Sequence, residues 1–373
     1  MHTYIYNHVK RLILGIKDIN TLSEYERNNQ IKKRLINDPI KGTVSPSFNA
    51  GGRRIDKFHK SEIFEDPSSE IYQFENAKVF GNRGSIVTFD GFLISDFHAH
   101  YKDSKNCESL VRECIPKNYK KANNIGVFAA QSANFNYYHW LTDALPRLLL
   151  LKEVKSVWES LDVLYGPELQ MSAQREAIHS VAKDLPYIKA SDQVCLSCQS
   201  AYIPKRSGMY ADRLLPTKPN VWISNLLKKH FLSLSEKSNT FFSDRLYISR
   251  SDSDTRYIFN ENKLIESLNQ IGFQKICLSE LSFFDQIKAF SNASCVVGPH
   301  GAGLSNLYFS KPGTKFIEIT SEDAKGLGFF RAISCVSEID YAYHATPLIK
   351  KGNESYFNIN IHSLIKGIEE FID

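Results

Sequence analysis

The residues best suited to chemistry lie in the stretch VVGPHGAGLSNLYFSKPGTKFIEI, residues 296–319. A buried strand is predicted to end in a glycine-rich loop that leads into a short helix and then a second strand. Glycine allows positive φ and a close approach of the backbone to a ligand, and free N–H groups at a helix start favour an anion. The pattern therefore predicts a phosphate or diphosphate site. Its residues are His300, Gly301, Ala302, Gly303 and Asn306.

Two other interpretations of this loop are open from its spacing alone. The glycines suit a tight turn that needs them for shape without any ligand. The spacing GxxGxG also differs from the dinucleotide fingerprint GxGxxG, and no acidic residue follows at the expected distance. A nicotinamide-dependent oxidoreductase is therefore disfavoured.

Charged residues near predicted strand ends add to the anion site. Arg250 ends the strand RLYIS, and Arg256 follows six residues later; arginine binds phosphate oxygens through two parallel N–H groups. Glu318 ends the strand after the loop and is predicted to accept from sugar hydroxyls. Glu261 begins a helix and is predicted beside the donor, with a helix-dipole role as its alternative. The alternative for the two arginines is a pair of solvated surface charges.

Two short patterns are compatible with a metal. Asp252 and Asp254 form a D-x-D, a pair whose carboxylate oxygens can hold a divalent ion that bridges phosphates. Cys195 and Cys198 form a single C-x-x-C, for which a structural position in a strand is favoured over zinc because a closed zinc site needs four ligands. No metal or other cofactor is expected.

The composition indicates a folded protein of more than one domain. The chain has 373 residues, 42% hydrophobic residues and a net charge of +5, too small and dispersed to indicate nucleic-acid binding. Seven scattered cysteines favour a reducing compartment, and no apolar run approaches a membrane span. The N-terminal stretch MHTYIYNHVKRLILGIKDI predicts a buried first helix or, alternatively, weak peripheral contact with anionic lipid.

The order of predicted elements indicates an α/β fold. Residues 1–120 are irregular with short strands, including an antiparallel pair around FGNRGSIVTFDG. Strands and helices alternate over 121–215 and again over 241–373, which is typical of parallel sheets with crossover helices. We therefore predict an N-terminal domain at 1–215, a linker at 216–240 and a C-terminal domain at 241–373. The last helix, IHSLIKGIEEFI, is compatible with packing on either domain.

Three motifs together resemble glycosyltransferase family 61, formerly DUF563. They are NYYHWLTDALPRL, YISR followed by a second arginine and NE, and GPHGAGLSNLYFSKPGTKFIEI. The resemblance spans roughly residues 125–370. It implies a GT-B fold, in which two Rossmann-like domains face a cleft, with the donor held mainly by the C-terminal domain. It also implies inverting transfer from a nucleotide sugar. The sequence shows no recognisable signal anchor of the kind that eukaryotic members carry. In this it resembles the bacterial members, many of which belong to capsule or lipopolysaccharide gene clusters.

The same resemblance assigns the acceptor side to the helix around residues 137–147. Inverting transfer needs a general base and stabilisation of the departing phosphate. His139 and Asp143 are four residues apart, hence on one face of a helix. Asp143 is predicted to be the base, with His139 positioning the acceptor or exchanging that role; buried structural roles are the alternative. The predicted acceptor-binding residues are Tyr138, Trp140 and Arg147.

The resulting hypothesis is an inverting glycosyltransferase of bacterial surface polysaccharide biosynthesis. Its partners would be a nucleotide-sugar donor, with a UDP-sugar expected, and a glycan or lipid-linked acceptor, but no nucleic acid. The expected location is the cytoplasm, with peripheral contact at the inner membrane. The alternative is a non-catalytic nucleotide- or glycan-binding partner of a polysaccharide synthesis complex.

Overall fold

The computed structural model divides the chain into two compact units. It describes residues 14, 16–20, 22–29, 31–38, 40–66, 68–98, 116–205, 221–323 and 328–373. The first unit contains the described residues up to 38 and 68–205. The second contains Ile40–Asp66 together with 221–323 and 328–373. Most of the N-terminal stretch for which lipid contact was predicted lies outside the described residues.

The regular elements of the described chain are short. The strands are β1 (Asp18–Asn20), β2 (Lys32–Asn37), β3 (Ile40–Val44), β4 (Phe48–Gly52), β5 (Glu62–Asp66), β6 (Ser69–Glu75), β7 (Lys78–Phe80), β8 (Ser85–Val87), β9 (Phe92–Ile94), β10 (Asn118–Val127), β11 (Val163–Gly166), β12 (Tyr187–Lys189), β13 (Val194–Pro204), β14 (Arg245–Ser249), β15 (Thr255–Ile258), β16 (Gln274–Cys277), β17 (Cys295–Pro299), β18 (Lys315–Ser321), β19 (Asp340–Thr346), β20 (Leu348–Lys351) and β21 (Glu354–Phe357).

Helices connect many of these strands. The α-helices are α1 (Leu22–Asn28), α2 (Ser95–His98), α3 (Tyr137–His139), α4 (Leu145–Glu153), α5 (Lys155–Trp158), α6 (Ser172–Ala182), α7 (Val221–Ser235), α8 (Glu261–Gln270), α9 (Phe283–Asn292), α10 (Phe329–Val336) and α11 (Ile361–Ile372). Other helical turns are a π-helix at Trp140–Ala144 and 3₁₀ helices at Asp56–His59, Gln131–Ala133, Leu278–Glu280 and Ala302–Phe309.

The first unit is built on one mixed sheet. Strands β13, β10, β11 and β12 lie side by side and are parallel. Strands β6 and β7 add to β13 in the antiparallel sense, and β8 pairs with β7. The parallel part confirms the alternation predicted for residues 121–215, and the β7–β8 hairpin confirms the antiparallel pair predicted at FGNRGSIVTFDG.

The second unit is built on a six-stranded, fully parallel sheet. Its order is β16-β14-β17-β18-β19-β4. The chain leaves β14 for β16 on one side and then returns to β17 on the other side. In open α/β sheets, ligands bind beyond the carboxyl ends of the strands where the direction reverses in this way. The α/β class is therefore confirmed, and the reversal marks one specific edge position between β14 and β17.

The predicted domain boundaries differ from the observed units in two places. Residues 40–66 join the second unit because β4 pairs with β19, in the register Ala342 to Phe48. The predicted linker at 216–240 contains the 15-residue helix α7, whose buried face includes Trp222, Ile223 and Phe231. Sequence FNAGG lacks the apolar alternation that would have indicated β4, and its partner strand is almost 300 residues away.

The last helix packs against β4 in the second unit. A Cβ atom on Gly367 would lie 2.3 Å from the carbonyl oxygen of Ala50, so glycine permits this close contact in the middle of α11. Leu364 and Ile368 on the same helix are fully buried in the core that surrounds the parallel sheet. The apolar spacing of IHSLIKGIEEFI therefore reflects packing on the C-terminal sheet.

Candidate functional site

The predicted anion loop lies at the reversal point of the second sheet. Arg250 directly follows β14, and His300 directly follows β17. The two strands are hydrogen-bonded neighbours and parallel, with Tyr247 opposite Val297. Their carboxyl ends consequently meet at one edge, as the sequence predicted for the strand-end arginine and the glycine loop.

Gly301 is required by contact with Arg250. A Cβ atom at Gly301 would lie 2.0 Å from Nη1 of Arg250. The φ angle of Gly301 is −175°, which any residue adopts. The expectation of positive φ in this loop is therefore wrong for Gly301. The close neighbour of this glycine in the structure is the guanidinium of Arg250, and the predicted close approach to a ligand stays a prediction.

The guanidinium of Arg250 is held by its own loop. Its Nε and Nη2 donate to the carbonyl oxygen of Thr255 at 3.1 and 2.9 Å, and Nη2 also donates to Oγ of Ser253 at 2.8 Å. Burial and the neighbouring charge of Arg256 lower the pKa of Arg250 to about 10, against a raising effect of Asp252. The interpretation as a solvated surface charge is wrong for this side chain, because it is partly buried and fixed on two nitrogens.

Arg256 is a second, less satisfied guanidinium. Its φ is +59°, an uncommon conformation for a side chain of this kind, and its backbone N–H donates to Oγ of Ser355 at 3.1 Å. Burial lowers the pKa of Arg256, and the charge of Glu318 opposes that shift. Its Nε is buried without a hydrogen-bond partner among the described residues. The two arginines therefore form a local excess of positive charge.

His300 is oriented by a buried carboxylate. Nδ1 of His300 lies 2.5 Å from Oε1 of Glu318, and the hydroxyl of Tyr341 donates to Oε2 at 2.6 Å. Glu318 is only 1% exposed, and burial together with this carboxylate raises the pKa of Tyr341 well above its ordinary value. The role predicted for Glu318, accepting from sugar hydroxyls, is replaced by one in orienting His300. The ring of Phe330 packs edge-on against His300, with centroids 5.0 Å apart.

The segment after the loop is a 3₁₀ helix from Ala302 to Phe309. The first N–H groups of a helix have no intrahelical partner, which leaves those of Ala302 and Gly303 suited to an anion. The N–H of His300 is engaged with the carbonyl of Ile319 at 2.9 Å. A Cβ at Gly303 would lie 2.5 Å from Cδ1 of Leu278, so this glycine too serves a close approach.

Two predicted donor-binding residues have internal partners. Asn306 is fully buried, and its Nδ2 donates to Oε1 of Gln286 at 2.9 Å. Oε1 of Glu261 accepts from the hydroxyls of Tyr247 and Ser249 at 2.9 and 2.8 Å. Asn306 therefore has a structural role in place of the predicted contact with a polar edge, and Glu261 anchors the end of β14.

The predicted acceptor helix in the first unit contains a widened turn. α3 begins after Asn136, whose side-chain Oδ1 accepts from the N–H of Tyr138 at 3.0 Å. A π-helix then runs from Trp140 to Ala144, and the N–H of Leu145 reaches the carbonyl of Trp140. Pro146 follows directly. Proline lacks an N–H and its ring clashes with the carbonyl four residues earlier, which a widened turn relieves.

The two predicted catalytic residues on this helix differ in their exposure to solvent. Asp143 is buried, and its Oδ1 lies 4.0 Å from Nη1 of Arg147. Arg147 is also buried, and the same Nη1 donates to the carbonyl of Ala129 at 2.9 Å. His139 is half-buried, with the ring of Tyr138 edge-on to it at 5.5 Å. His139 is thus the more accessible of the two predicted catalytic groups.

The predicted acceptor-binding residues are mostly interior. Trp140 is fully buried, so the prediction that it stacks on an acceptor sugar is wrong. Tyr138 is 7% exposed and Arg147 is 2% exposed, which favours packing and ion pairing over acceptor contact for both. Aromatic residues on a helix were assigned to a ligand from sequence, whereas in the structure Trp140 belongs to the core.

The C-x-x-C and the D-x-D, the two sequence patterns compatible with a metal, lie in different surroundings. Cys195 and Cys198 lie in β13 and pack in separate core clusters, and burial raises the pKa values of their thiols to about 11 and about 12. The predicted structural role in a strand is confirmed. Asp252 is close enough to Arg250 to raise its pKa. Among the described residues, no three or more His, Cys, Asp or Glu side chains are grouped to hold a metal.

The sequence did not indicate several residues that shape the site. Tyr341 in β19 donates to Glu318, and Phe330 in α10 packs against His300. Thr255 fixes Arg250 through its backbone carbonyl. Only the Asn136 cap had a local signal, since asparagine before a helical segment is a typical N-cap. In the part of the chain that the structure describes, no helix has the length and apolarity to cross a membrane.

The second unit is a parallel α/β sheet with two guanidiniums near its reversal point, the position at which open α/β proteins bind their ligands. Residues 137–317, just under half of the chain, match the family model of Glycosyltransferase 61. The match is narrower than the predicted 125–370 and includes both the His139 helix and the Arg250–His300 site. It supports family 61 and glycosyltransferase activity.

Curated relatives match a shorter part of the chain. The "EGF domain-specific O-linked N-acetylglucosamine transferase" of Canis lupus familiaris is 28% identical over 85 residues, and that of Rattus norvegicus is 29% identical over the same length. Each alignment covers 21% of this chain and 16% of the relative. The similarity therefore concerns a minor part of both proteins.

Proposed function

We propose that this chain is an inverting glycosyltransferase that takes its sugar from a nucleotide-sugar donor, expected to be a UDP-sugar. The observation that carries the proposal is the pair of guanidiniums, Arg250 and Arg256, at the reversal point of the second sheet. Neither forms an ion pair among the described residues, and each has a lowered pKa. A diphosphate would supply the missing negative charge and accept their hydrogen bonds.

The departing nucleoside diphosphate is the natural ligand of this site in the proposed reaction. Negative charge develops on the leaving phosphate as the sugar departs, and preorganised donors stabilise such charge. Nη1 of Arg250 is the nitrogen not engaged by the Ser253–Thr255 loop. His300 presents Nε2 as its remaining polar atom, because Nδ1 is held by Glu318. A divalent ion at Asp252 would be repelled by the neighbouring guanidinium of Arg250, so the proposal assigns charge neutralisation to the protein.

The general base is proposed to come from the helix around the π-turn. Asp143 was predicted to be the base, with His139 positioning the acceptor or exchanging that role. The burial of Asp143 beside Arg147 favours the exchange, in which His139 takes the proton. Asp143 then anchors the helix with Arg147. π-turns inside α-helices are frequent at functional sites, and this one begins directly after His139 and contains Asp143.

The wider biological role is also a proposal. A GT-B arrangement, a glycan or lipid-linked acceptor, and work in bacterial capsule or lipopolysaccharide synthesis rest on the resemblance to family 61. The cytoplasm, with peripheral contact at the inner membrane, is the location that suits such a pathway.

The first test is a thermal-shift panel of nucleotides and nucleotide sugars, with and without EDTA. A ligand that binds only the folded state stabilises it by about 2.7 kcal/mol at 100 times its Kd. UDP at that concentration is expected to raise the melting temperature by about 5–11 °C, at about 2–4 °C for each kcal/mol, and EDTA is expected to leave the shift intact. A shift that appears only with a divalent ion would move the phosphate site to Asp252 and Asp254.

Tyr341→Phe tests whether Glu318 orients His300 for the donor. The change removes one hydrogen bond to a buried carboxylate, which we expect to cost about 1–3 kcal/mol of stability. UDP binding measured by calorimetry is expected to weaken about threefold to tenfold because His300 loses its fixed position.

Tyr343→Phe is the matched control for that variant. Tyr343 lies in the same strand, and its hydroxyl bonds the N–H of Ile55 and the ring of His59. This change is expected to reduce stability without altering UDP affinity. Equal UDP affinity in the two variants would show that the hydroxyl of Tyr341 has no part in donor binding.

A further inference from the structure

A cavity of about 440 Å³ opens in the second unit beside β15. Its lining includes Asp254, Tyr257, Phe259, Asn262 and Glu354. Small-molecule sites of proteins are typically clefts of about 300–1,000 Å³ with a few polar groups on an apolar wall. The cavity has the size of such a site, and its lining is mostly polar. It adjoins the anion site, since the lining residue Ser253 holds Arg250 and the lining residue Glu261 holds the end of β14.

Two aromatic residues of the lining, Tyr257 and Phe259, are bridged by a third ring, that of Tyr356, which packs beside the cavity. Tyr356 lies between Tyr257 and Phe259, with ring centroids 5.6 and 5.3 Å apart and ring planes tilted by 32° and 33°. Tyr257 in β15 is paired with Tyr356 in β21, and Phe259 follows two positions after Tyr257. Phe259 is 66% exposed. We call these three residues the aromatic row.

The charges around the cavity are opposite to those of the anion loop. Asp254, Glu261 and Glu354 contribute carboxylates, while Ser251, Ser253 and Asn262 contribute neutral polar groups. None of the described residues that line the cavity is a lysine or an arginine, although Nζ of Lys275 lies 3.8 Å from Oε2 of Glu261. A phosphate or carboxylate ligand would be repelled here, whereas a neutral ligand rich in hydroxyl groups could donate to the carboxylates. The described residues offer no grouping of these acids that would hold a metal.

We propose that the cavity and the aromatic row bind a neutral sugar ring of the acceptor glycan. One face of a pyranose carries C–H groups that pack on aromatic rings, and its edge carries hydroxyls that suit carboxylates and amides. The assignment to the acceptor rests on the proposed transferase function, but the sugar binding itself does not need a nucleotide. Asp254 and Glu354 are the expected hydroxyl acceptors, and Phe259 is the expected stacking surface.

Saturation-transfer NMR tests this binding directly on the full chain without nucleotide. The probes are the neutral methyl glycosides of β-glucose, β-galactose and N-acetyl-β-glucosamine. At least one is expected to receive saturation on the C–H groups of one ring face. Phe259→Ala and Tyr356→Ala are expected to reduce its apparent affinity about threefold to tenfold, as the loss of an aromatic contact predicts.

Phe241→Ala is the matched control, because Phe241 is an 88% exposed phenylalanine of the same unit that does not line the cavity. It is expected to leave the glycoside signal unchanged. The proposal is overturned if no glycoside receives saturation, or if all three variants behave like the wild type. A third outcome would also overturn it. If the uracil protons of UDP receive saturation in the wild type but not in Phe259→Ala, the aromatic row stacks on the nucleotide base.

The same spectra separate this inference from the donor proposal. Arg250→Ala is expected to lose UDP binding and to keep the glycoside signal. If the wild type binds a glycoside but no nucleotide, the donor site falls while the sugar site stands. If the wild type binds UDP through Arg250 but binds no glycoside, the sugar site falls while the donor site stands.

Discussion

Arg250→Ala is expected to weaken UDP binding by about 10²- to 10³-fold, which corresponds to about 3–4 kcal/mol. Hydrogen bonds to charged groups contribute about 1.5–3 kcal/mol each, and an arginine can make two of them to one phosphate. Arg250 is already fixed by Thr255 and Ser253 before any ligand arrives. Little side-chain freedom is therefore lost on binding, and most of the interaction should appear in the affinity.

Calorimetry with UDP measures this effect, with Arg245→Ala as the matched control. Arg245 lies at the other end of the same strand, where its Nη1 donates to the carbonyl of Ile271 at 2.8 Å. Removing it is expected to lower stability slightly and to leave UDP affinity within about twofold. Arg250→Lys keeps the charge but loses the planar guanidinium that Thr255 and Ser253 hold in place, so an intermediate affinity is expected. Unchanged binding in Arg250→Ala would place the diphosphate elsewhere.

Gly301→Ala provides an independent check of the same geometry. A methyl group there would overlap Nη1 of Arg250, and the guanidinium must move for the chain to fold. The φ of −175° means that backbone strain does not contribute. The sequence pattern predicted a glycine requirement at this position, but only the structure shows that the neighbour is the arginine itself.

Local patterns predicted the part of the fold that local physics determines. Alternating strands and helices around Arg250 and His300 were predictable because buried parallel strands are apolar runs with turn residues at their ends. The same rule placed both residues at one sheet edge. The reversal of strand order between β14 and β17 was not predicted, because pairing of non-consecutive strands has no local signal.

Contacts between distant segments explain the features that the sequence did not predict correctly. β4 joins the second sheet through β19, and Tyr341 reaches Glu318 from a strand that the sequence analysis did not connect with the site. Trp140 was assigned to the acceptor from its residue type, and burial overrides that assignment. A residue type states what a side chain can do, whereas its exposure depends on the whole chain around it.

His139→Ala is expected to lower kcat by about 10²- to 10⁴-fold, the usual contribution of a general base. UDP affinity should stay near that of the wild type, since the donor contacts proposed above all lie in the second unit. His139 is favoured over Asp143 because it is half-buried, whereas Asp143 is buried beside Arg147 at 4.0 Å.

Asp143→Asn distinguishes a catalytic carboxylate from a structural one. If Asp143 anchors the helix, this variant should lose stability by about 1–3 kcal/mol, because the buried Arg147 would lose its carboxylate, while kcat falls little once the protein is folded. If Asp143 is the base instead, kcat should collapse with stability retained. The thermal transition and kcat of the same preparation separate these cases.

The pH dependence of kcat gives a second, independent criterion. A histidine base accepts the proton only when its imidazole is neutral, so kcat at saturating donor should fall on acidification. A carboxylate base stays ionised to lower pH than a histidine base, so its acid limb would lie at lower pH. The acid limb should disappear from the residual activity of His139→Ala. If donor binding persists while no acceptor supports transfer at any pH in the wild type, the chain is a binding partner that has kept the fold and the diphosphate site.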